Sequence, residues 1–146
     1  MKSLPKWLKI ILIILAVVVG LGVLSILLGI FSGRTLSTLN AARDKGGDNA
    51  VVAYMKTLTI QGELYFDAHK ASYAGFCNST DALDSLQNAA KETGNGSNFV
   101  CNDEKQHWAA SVLLRTVGFG YWCVDSAGTA VQITGNLTKG MMSCPP

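Results

Sequence analysis

The stretch IILIILAVVVGLGVLSILLGIF, residues 10–31, contains 22 amino acids and no charged side chain. A helix rises about 1.5 Å per residue, so this run would reach about 33 Å, enough to cross the hydrocarbon core of a bilayer. A secretory signal peptide is the main alternative, but its apolar region runs about 7–15 residues and ends at a small-x-small site. Here the large residues Ile30 and Phe31 stand at the exit. The run therefore predicts an uncleaved, single-pass transmembrane helix over residues 10–31, with the lipid bilayer as its partner.

Charges on the two sides of this run predict its orientation. Three lysines precede it, and they are Lys2, Lys6 and Lys9. Arg34 is the one base close behind it. Because positively charged flanks stay in the cytoplasm, we expect residues 1–9 to be cytoplasmic. Residues 32–146 are then an exported head domain, in the periplasm or outside the cell.

Composition excludes several classes of protein. Of the 146 residues, 49% are hydrophobic and 15% are charged, and the formal net charge is +2. The three N-terminal lysines account for this excess, because the remaining nine bases are outnumbered by ten acids. The head therefore has no basic face for nucleic acid. The single long apolar run excludes a multi-pass membrane protein, and the apolar content excludes a disordered tail.

All four cysteines lie in the expected exported part, and they are Cys77, Cys101, Cys123 and Cys144. An even number of cysteines in an exported domain predicts two disulfides. No pair has C-x-x-C spacing, so neither a zinc knuckle nor a thioredoxin-type redox site is indicated. Three pairings are possible, and spacing alone does not select one.

The first part of the head predicts helix. Residues 35–45 are compatible with a continuing helix, and the glycine pair at 46–47 is its weak point. Asp48 or Asn49 is then expected to cap a new start. Apolar residues recur at three- and four-residue steps from Ala50 to about His69, which predicts one buried helix face. Its members are Val51, Tyr54, Met55, Leu58, Gly62, Tyr65 and Ala68.

The second part predicts a small sheet. Residues 72–77 look extended, and Thr80-Asp81 opens a short helix that the glycines at 94 and 96 end. Four runs of β-forming residues follow, at 99–101, 107–114, 121–124 and 129–133. The connections between them are short, which indicates antiparallel neighbours. The predicted fold is α+β, with a long N-terminal helix, membrane-spanning in its first half, packed on a small antiparallel β-sheet.

Several stretches resemble the type IV pilin and pseudopilin family. Residues 42–45, 62–67 and 72–77 are similar to the helix and exit loop of these proteins. Residues 121–128, YWCVDSAG, are similar to their hairpin, and Ser143-Cys144-Pro145 to their end. The resemblance implies a pilin-like head outside the membrane and a non-enzymatic structural role in a surface filament, secretion or DNA-uptake apparatus. Its partners would be other pilin-like subunits, packed through the N-terminal helix.

The same resemblance implies a final disulfide that ties the C-terminal loop to the sheet. The matching positions here are Cys123 and Cys144, which leaves Cys77 to pair with Cys101. The N-terminus departs from the family, because no Gly-Phe pair precedes residues 10–31 and no Glu lies within them. This departure favours an alternative, in which the protein is a stand-alone, signal-anchored binding or adhesion module that does not polymerise.

The search for catalytic residues gives no catalytic set, no metal site, no cofactor and no small-molecule substrate. His69 is expected near the last carbonyls of a helix, and His107 at the start of a strand. The adjacent carboxylates Asp103 and Glu104 lack further oxygen ligands at calcium-loop spacing. An exported enzyme is a third hypothesis, which no titratable cluster supports.

Two further features concern the surface. Tyr121 and Trp122 are neighbours on a predicted strand and point to opposite faces, so one is expected in the core and the other on a contact surface. Asn-x-Ser/Thr sequons occur at Asn78, Asn95 and Asn136, each in a predicted loop where glycosylation is sterically conceivable.

Overall fold

The computed structural model describes residues 6–94, 96 and 98–146, without the side chains of residues 6, 8, 9 and 27–36. Lys2, the side chains of Lys6 and Lys9, and the sequon at Asn95 therefore lie outside the described part. So do the side chains of the last five residues of the expected membrane segment. Contacts within the chain divide it into two units, Met1–Asn40 and Ala41–Pro146.

The described residues form an α+β fold, which confirms the predicted class. In chain order the elements are helix α1 (Lys6–Ala68), a 3-10 turn (Phe76–Asn78), helix α2 (Thr80–Glu92) and strands β1 (Phe99–Asp103), β2 (Trp108–Leu113), β3 (Tyr121–Asp125) and β4 (Ala130–Ile133). The strands form one antiparallel sheet in the order β1-β2-β3-β4. Because each strand pairs with the next along the chain, the short connections alone are enough to join them.

The N-terminal unit consists of the first part of α1. Its large apolar side chains from Ile10 to Ile26 are between 50% and 64% exposed, on all sides of the helix. Among the described residues, we find no helix with the length and apolar character needed to cross a membrane.

In the second unit, one face of the sheet packs against α1 and α2 to form the main core. Val51, Met55 and Leu58 of α1 are fully buried, as their spacing predicted. Ala68 is exposed, contrary to the prediction, because α1 ends there and the chain turns through Lys70 and Ala71, which both have positive φ. Other members of this core are Tyr73, Phe76, Ala82, Leu86, Ala89, Ala90, Trp108, Ala110, Val112, Leu114 and Val124.

A glycine of α1 allows this close packing. A Cβ added at Gly62 would lie 2.9 Å from Nε1 of Trp108 and 3.0 Å from two ring carbons. The Trp108 side chain is completely buried, and its Nε1 has no hydrogen-bond partner among the described residues. The indole therefore packs directly on the backbone of α1, where any larger residue at position 62 would displace it.

The predicted helix break at Gly46-Gly47 is wrong, because α1 continues through both residues. Gly47 is buried, and a Cβ there would lie 2.8 Å from Cδ of Arg115 and 3.0 Å from the carbonyl oxygen of Glu92. Glycine lowers the stability of a helix, but only glycine leaves room here for the close approach of Arg115 and Glu92. Asp48 is not a helix cap, because its carboxylate binds the loop between β2 and β3.

A second, smaller core lies on the other face of the sheet, under the C-terminal segment. Its buried members are Ala109, Cys123, Ile133 and Leu137. The carboxylate of Asp125 fastens this segment, because Oδ2 accepts from the backbone N–H of Cys144 at 2.9 Å. Oδ1 of the same residue accepts from the N–H groups of Ala127 and Thr129, both at 3.0 Å, within the β3–β4 turn.

The expectation that residues 72–77 are extended is wrong. Tyr73 is hydrogen-bonded through its N–H to the carbonyl of Lys105, and the chain then tightens into the 3-10 turn. Gly75, with φ of 91°, makes the turn possible, because this left-handed conformation strains other residues. Phe76 is thereby buried in the main core.

Candidate contact surface

An apolar groove runs between α1 and the β3–β4 side of the sheet. We call it the α1–β4 groove, and its volume is about 320 Å³. Its lining residues are Val52, Lys56, Thr59 and Ile60 of α1, with Trp122, Val124, Gly128 and Ala130. Lys56 is the one charged residue in this lining, and it is exposed.

The groove exists because small residues face a helix that carries large ones. Ala130 is opposite Val124 in the β3–β4 register, and cross-strand partners have their side chains on the same face of a sheet. Ala130 and Gly128 therefore leave the space beside Val124 unfilled. Ile60, which borders this space, is 57% exposed. Apolar surface thus remains open to water at the edge of the main core.

The sequence-predicted surface pair, Tyr121 and Trp122, is divided between the two faces of the sheet. Trp122 packs against the main core and lines the α1–β4 groove. Tyr121 packs against the second core, under the C-terminal segment. Both side chains are half-buried. The structure thus separates them instead of giving one buried and one exposed ring, since each face of the sheet has its own cover.

Sequence reasoning missed the helix side of the groove. Val52, Lys56 and Ile60 lie four residues apart in succession, so they share a helix face next to the core stripe. This spacing was the available signal, but Lys56 interrupts its apolar character. No local pattern marks Ala130 as part of a groove, because its role depends on where α1 crosses the sheet.

The loop between β2 and β3 presents a second exposed apolar feature. Val117 is 97% exposed and Phe119 is 47% exposed. The base of the loop is held by Asp48, and the Arg115 guanidinium donates to Oδ1 of Asp44 at 2.8 Å and to the carbonyl of Glu92 at 3.0 Å. The loop is therefore fixed at its base while two apolar side chains remain in solvent.

The candidate acid–base and metal residues do not come together. His69 is exposed, stacks on Tyr65 and has Nδ1 2.8 Å from the carbonyl oxygen of Tyr65. His107 is exposed and precedes β2 instead of opening it. Asp103 accepts from the N–H of Cys77 at 3.1 Å, and Glu104 is exposed. Within the described residues, no group of three or more His, Cys, Asp or Glu side chains is arranged to hold a metal ion.

The cysteines form two disulfides, Cys77–Cys101 and Cys123–Cys144. This is the pairing that the resemblance to pilins implied. Of the two described sequon asparagines, Asn78 is exposed in the 3-10 turn. Asn136 is exposed as well, and its Oδ1 accepts from the hydroxyl of the buried Ser111 at 2.6 Å.

Among the described residues of the head, Tyr73 has a strongly displaced pKa. Burial, with a smaller contribution from the Glu63 carboxylate, raises the pKa of Tyr73 from 10.0 to about 12. The Tyr73 hydroxyl donates to Oε1 of Glu63 at 3.0 Å, and the charge of Asp67 acts in the same direction. The phenol is therefore held in its neutral form, which suits a structural hydrogen bond between α1 and the segment that follows it.

Comparisons of the chain with protein-family models, with curated proteins and with solved structures found no match.

Proposed function

We propose that this chain is a non-enzymatic, membrane-anchored, pilin-like structural subunit of a surface filament, secretion or DNA-uptake apparatus. The observation that carries the proposal is the exposed apolar surface of α1. From Ile10 to Ile26 its large side chains are at least half exposed around the whole helix. A helix that is apolar on all sides is stable only when lipid or other helices cover it.

The anchor in this proposal consists of residues 10–31, including the five whose side chains lie outside the described part. These 22 residues have no charge, and the lysines before them set a cytoplasmic N-terminus. The head is then outside, in a compartment that permits disulfides. Two disulfides in the head are consistent with that location.

A contact role also agrees with the chemistry of the head. Among the described residues, no group of three or more His, Cys, Asp or Glu side chains is arranged to hold a metal ion, and the α1–β4 groove is lined mainly by apolar side chains. Such a surface binds a partner mainly by burial of apolar area.

Crosslinking through α1 tests the proposal. The described cysteines are all disulfide-bonded, so a single cysteine at Val23, Val23→Cys, adds one free thiol to the apolar surface. After a maleimide-linked benzophenone is attached to this thiol and irradiated in intact cells, we expect its carbonyl to insert into a C–H bond of the apolar N-terminal helix of a second membrane-anchored subunit. The matched control is Gln87→Cys, an exposed position on α2, which should not give that product. Absence of any helix-to-helix product from position 23 would contradict the filament or apparatus role.

The second candidate is a stand-alone anchored binding or adhesion module. Two observations favour it, namely the lack of a Glu within residues 10–31 and the open α1–β4 groove. In this case the Val23→Cys protein would remain in the membrane and give no helix-to-helix product. The same experiment therefore separates the two functions.

A further inference from the structure

We propose that the α1–β4 groove and the outer edge of β4 bind an extended peptide segment, which joins the sheet as a fifth strand. The segment inserts alternate apolar side chains into the groove and has a carboxylate opposite Lys56. This inference concerns the head alone, and it holds whether or not α1 enters a filament.

The first support is the position of β4. It is the last strand of the sheet, and β3 occupies one of its sides. The N–H of Asp125 donates to the carbonyl of Thr129 at 3.2 Å, and the N–H of Thr129 donates to the Asp125 side chain. The backbone N–H of Asp125 thus points toward the β4 side, and because this direction alternates along a strand, Val124 and its partner Ala130 form a non-hydrogen-bonded pair.

The alternation gives the direction of the β4 backbone groups. The N–H and C=O of Ala130 point away from β3, and two residues later those of Gln132 do so as well. These four groups have the spacing that an added strand needs for its own ladder. Both residues are exposed, so a peptide can reach this edge.

The second support is the match between the edge and the groove. The side chains of Ala130 and Gln132 lie on the same face as Val124 and Trp122, which is the face that α1 covers. A strand added beside β4 would therefore direct every second side chain toward Ile60. Since Ala130 is small, there is room for an apolar side chain of the incoming segment in the groove.

Charge selects the kind of segment. Lys56 is the single charged residue of the lining, and the lining contains no carboxylate. The groove is therefore not complementary to a second copy of itself. It is complementary to a strand that combines apolar residues with one Asp or Glu, because opposite charges at such an edge favour the correct register and partner.

Peptide binding to the full-length protein in detergent micelles tests this inference. The probes are acetylated and amidated octapeptides in which valine alternates with threonine, and one valine is replaced by glutamate at each position in turn, because the valine set is the one that faces the groove and Lys56. Calorimetric titration should give saturable binding for at least one register. The same peptide with lysine for glutamate should bind at least about tenfold more weakly, a difference of about 1.4 kcal/mol.

Backbone methylation distinguishes strand addition from simple adhesion to an apolar surface. N-methyl groups on one alternating set of peptide nitrogens should weaken binding at least about tenfold, because these nitrogens donate to β4. Methyl groups on the other set should change affinity by less than about twofold, since those nitrogens face solvent. This comparison leaves the protein unchanged, so a folding defect cannot imitate the result.

Charge reversal completes the test. Lys56→Glu should invert the preference, so that the lysine peptide binds more tightly than the glutamate peptide. Lys139→Glu, at an exposed position of the C-terminal segment, is the matched control and should retain the original preference. Failure of all the peptides to bind, or equal effects of the two methylation sets, would overturn the inference. Micelles contain no filament, so such a failure would leave the proposed role of α1 untouched.

Discussion

The carboxylate of Asp48, on α1, accepts a hydrogen bond of 2.5 Å from the backbone N–H of Arg115, in the loop between β2 and β3. The same carboxylate accepts from the N–H and the hydroxyl of Thr116. One side chain of α1 thus satisfies several donors of a loop 67 residues further along the chain. These hydrogen bonds hold the β2–β3 loop against α1 at Asp48.

Replacing Asp48 should destabilise the head. In Asp48→Ala the N–H groups of Arg115 and Thr116 lose their acceptor in a partly buried position, which costs about 1–3 kcal/mol of unfolding free energy. Asp84→Ala, an exposed carboxylate on α2, is the matched control, because both substitutions gain similar helix propensity. Equal unfolding free energies for the two variants in urea titrations would contradict this role of Asp48.

The glycine pair in α1 should respond in opposite directions to the same substitution. A Cβ at Gly46 meets no atom within 4 Å, so Gly46→Ala should stabilise the head by up to about 1 kcal/mol. A Cβ at Gly47 would press on Arg115 and on the Glu92 carbonyl, so Gly47→Ala should destabilise it by about 1–3 kcal/mol. Thermal unfolding followed by circular dichroism checks both. If the two variants shift the midpoint in the same direction, the close approach at Gly47 is wrong.

Ionisation of Tyr73 should be visible at high pH. The pKa of Tyr73 rises to about 12 in the folded head, so the folded state holds this proton more tightly than the unfolded state does. Its contribution to stability is full below pH 10 and is lost as the pH rises from 10 to 12. The difference in unfolding free energy between the wild type and Tyr73→Phe should therefore shrink over this range, by about 2–3 kcal/mol in total.

Spectrophotometric titration provides an independent reading of the same group. Subtracting the Tyr73→Phe curve from that of the wild type should leave a single ionisation near pH 12. Glu63→Gln keeps an oxygen acceptor but removes the charge, so it should move this step to lower pH. A difference curve centred at pH 10 would show that the phenol is neither buried nor bonded as described.

The C-terminal segment should depend on Asp125 as well as on its disulfide. Asp125 is 2% exposed and accepts from three backbone N–H groups. Asp125→Asn turns one acceptor into a donor and should cost about 1–3 kcal/mol. We expect faster proteolysis of residues 136–146 even with Cys123–Cys144 intact, whereas Asp84→Asn should leave the rate unchanged. If residues 136–146 are cleaved at the same rate in Asp125→Asn as in the wild type, the disulfide alone holds this segment in place.

Local patterns were enough to predict the main elements of the head. The spacing of Val51, Met55 and Leu58 identified the buried face of α1, because every third or fourth residue of a helix shares one side. The β-forming runs and short turns identified the four antiparallel strands for a similar reason. In both cases the sequence pattern and the element that it predicts involve residues that are close together in the chain.

Features that depend on distant residues were not predictable in this way. The continuity of α1 through Gly47 reflects the approach of Arg115 and Glu92, which no local pattern contains. The α1–β4 groove has the same origin, because it is created where a helix of large residues crosses a strand that presents Ala130. The sequence predicted that Tyr121 or Trp122 lies on a contact surface, but no local pattern predicts that Lys56 lies near β4.

Membrane extraction of the native protein tests the central claim, that residues 10–31 anchor an exported head, most directly. Membranes from intact cells are washed with alkaline carbonate. Sealed vesicles of each orientation are treated with protease in a second assay. The intact mass of the undigested protein is then measured under non-reducing conditions. We predict that the protein stays in the pellet and that protease reaches the head from the outer side alone. The mass should correspond to two disulfides and an uncleaved N-terminal helix. Release into the carbonate supernatant, or a head with four free thiols, would contradict the claim.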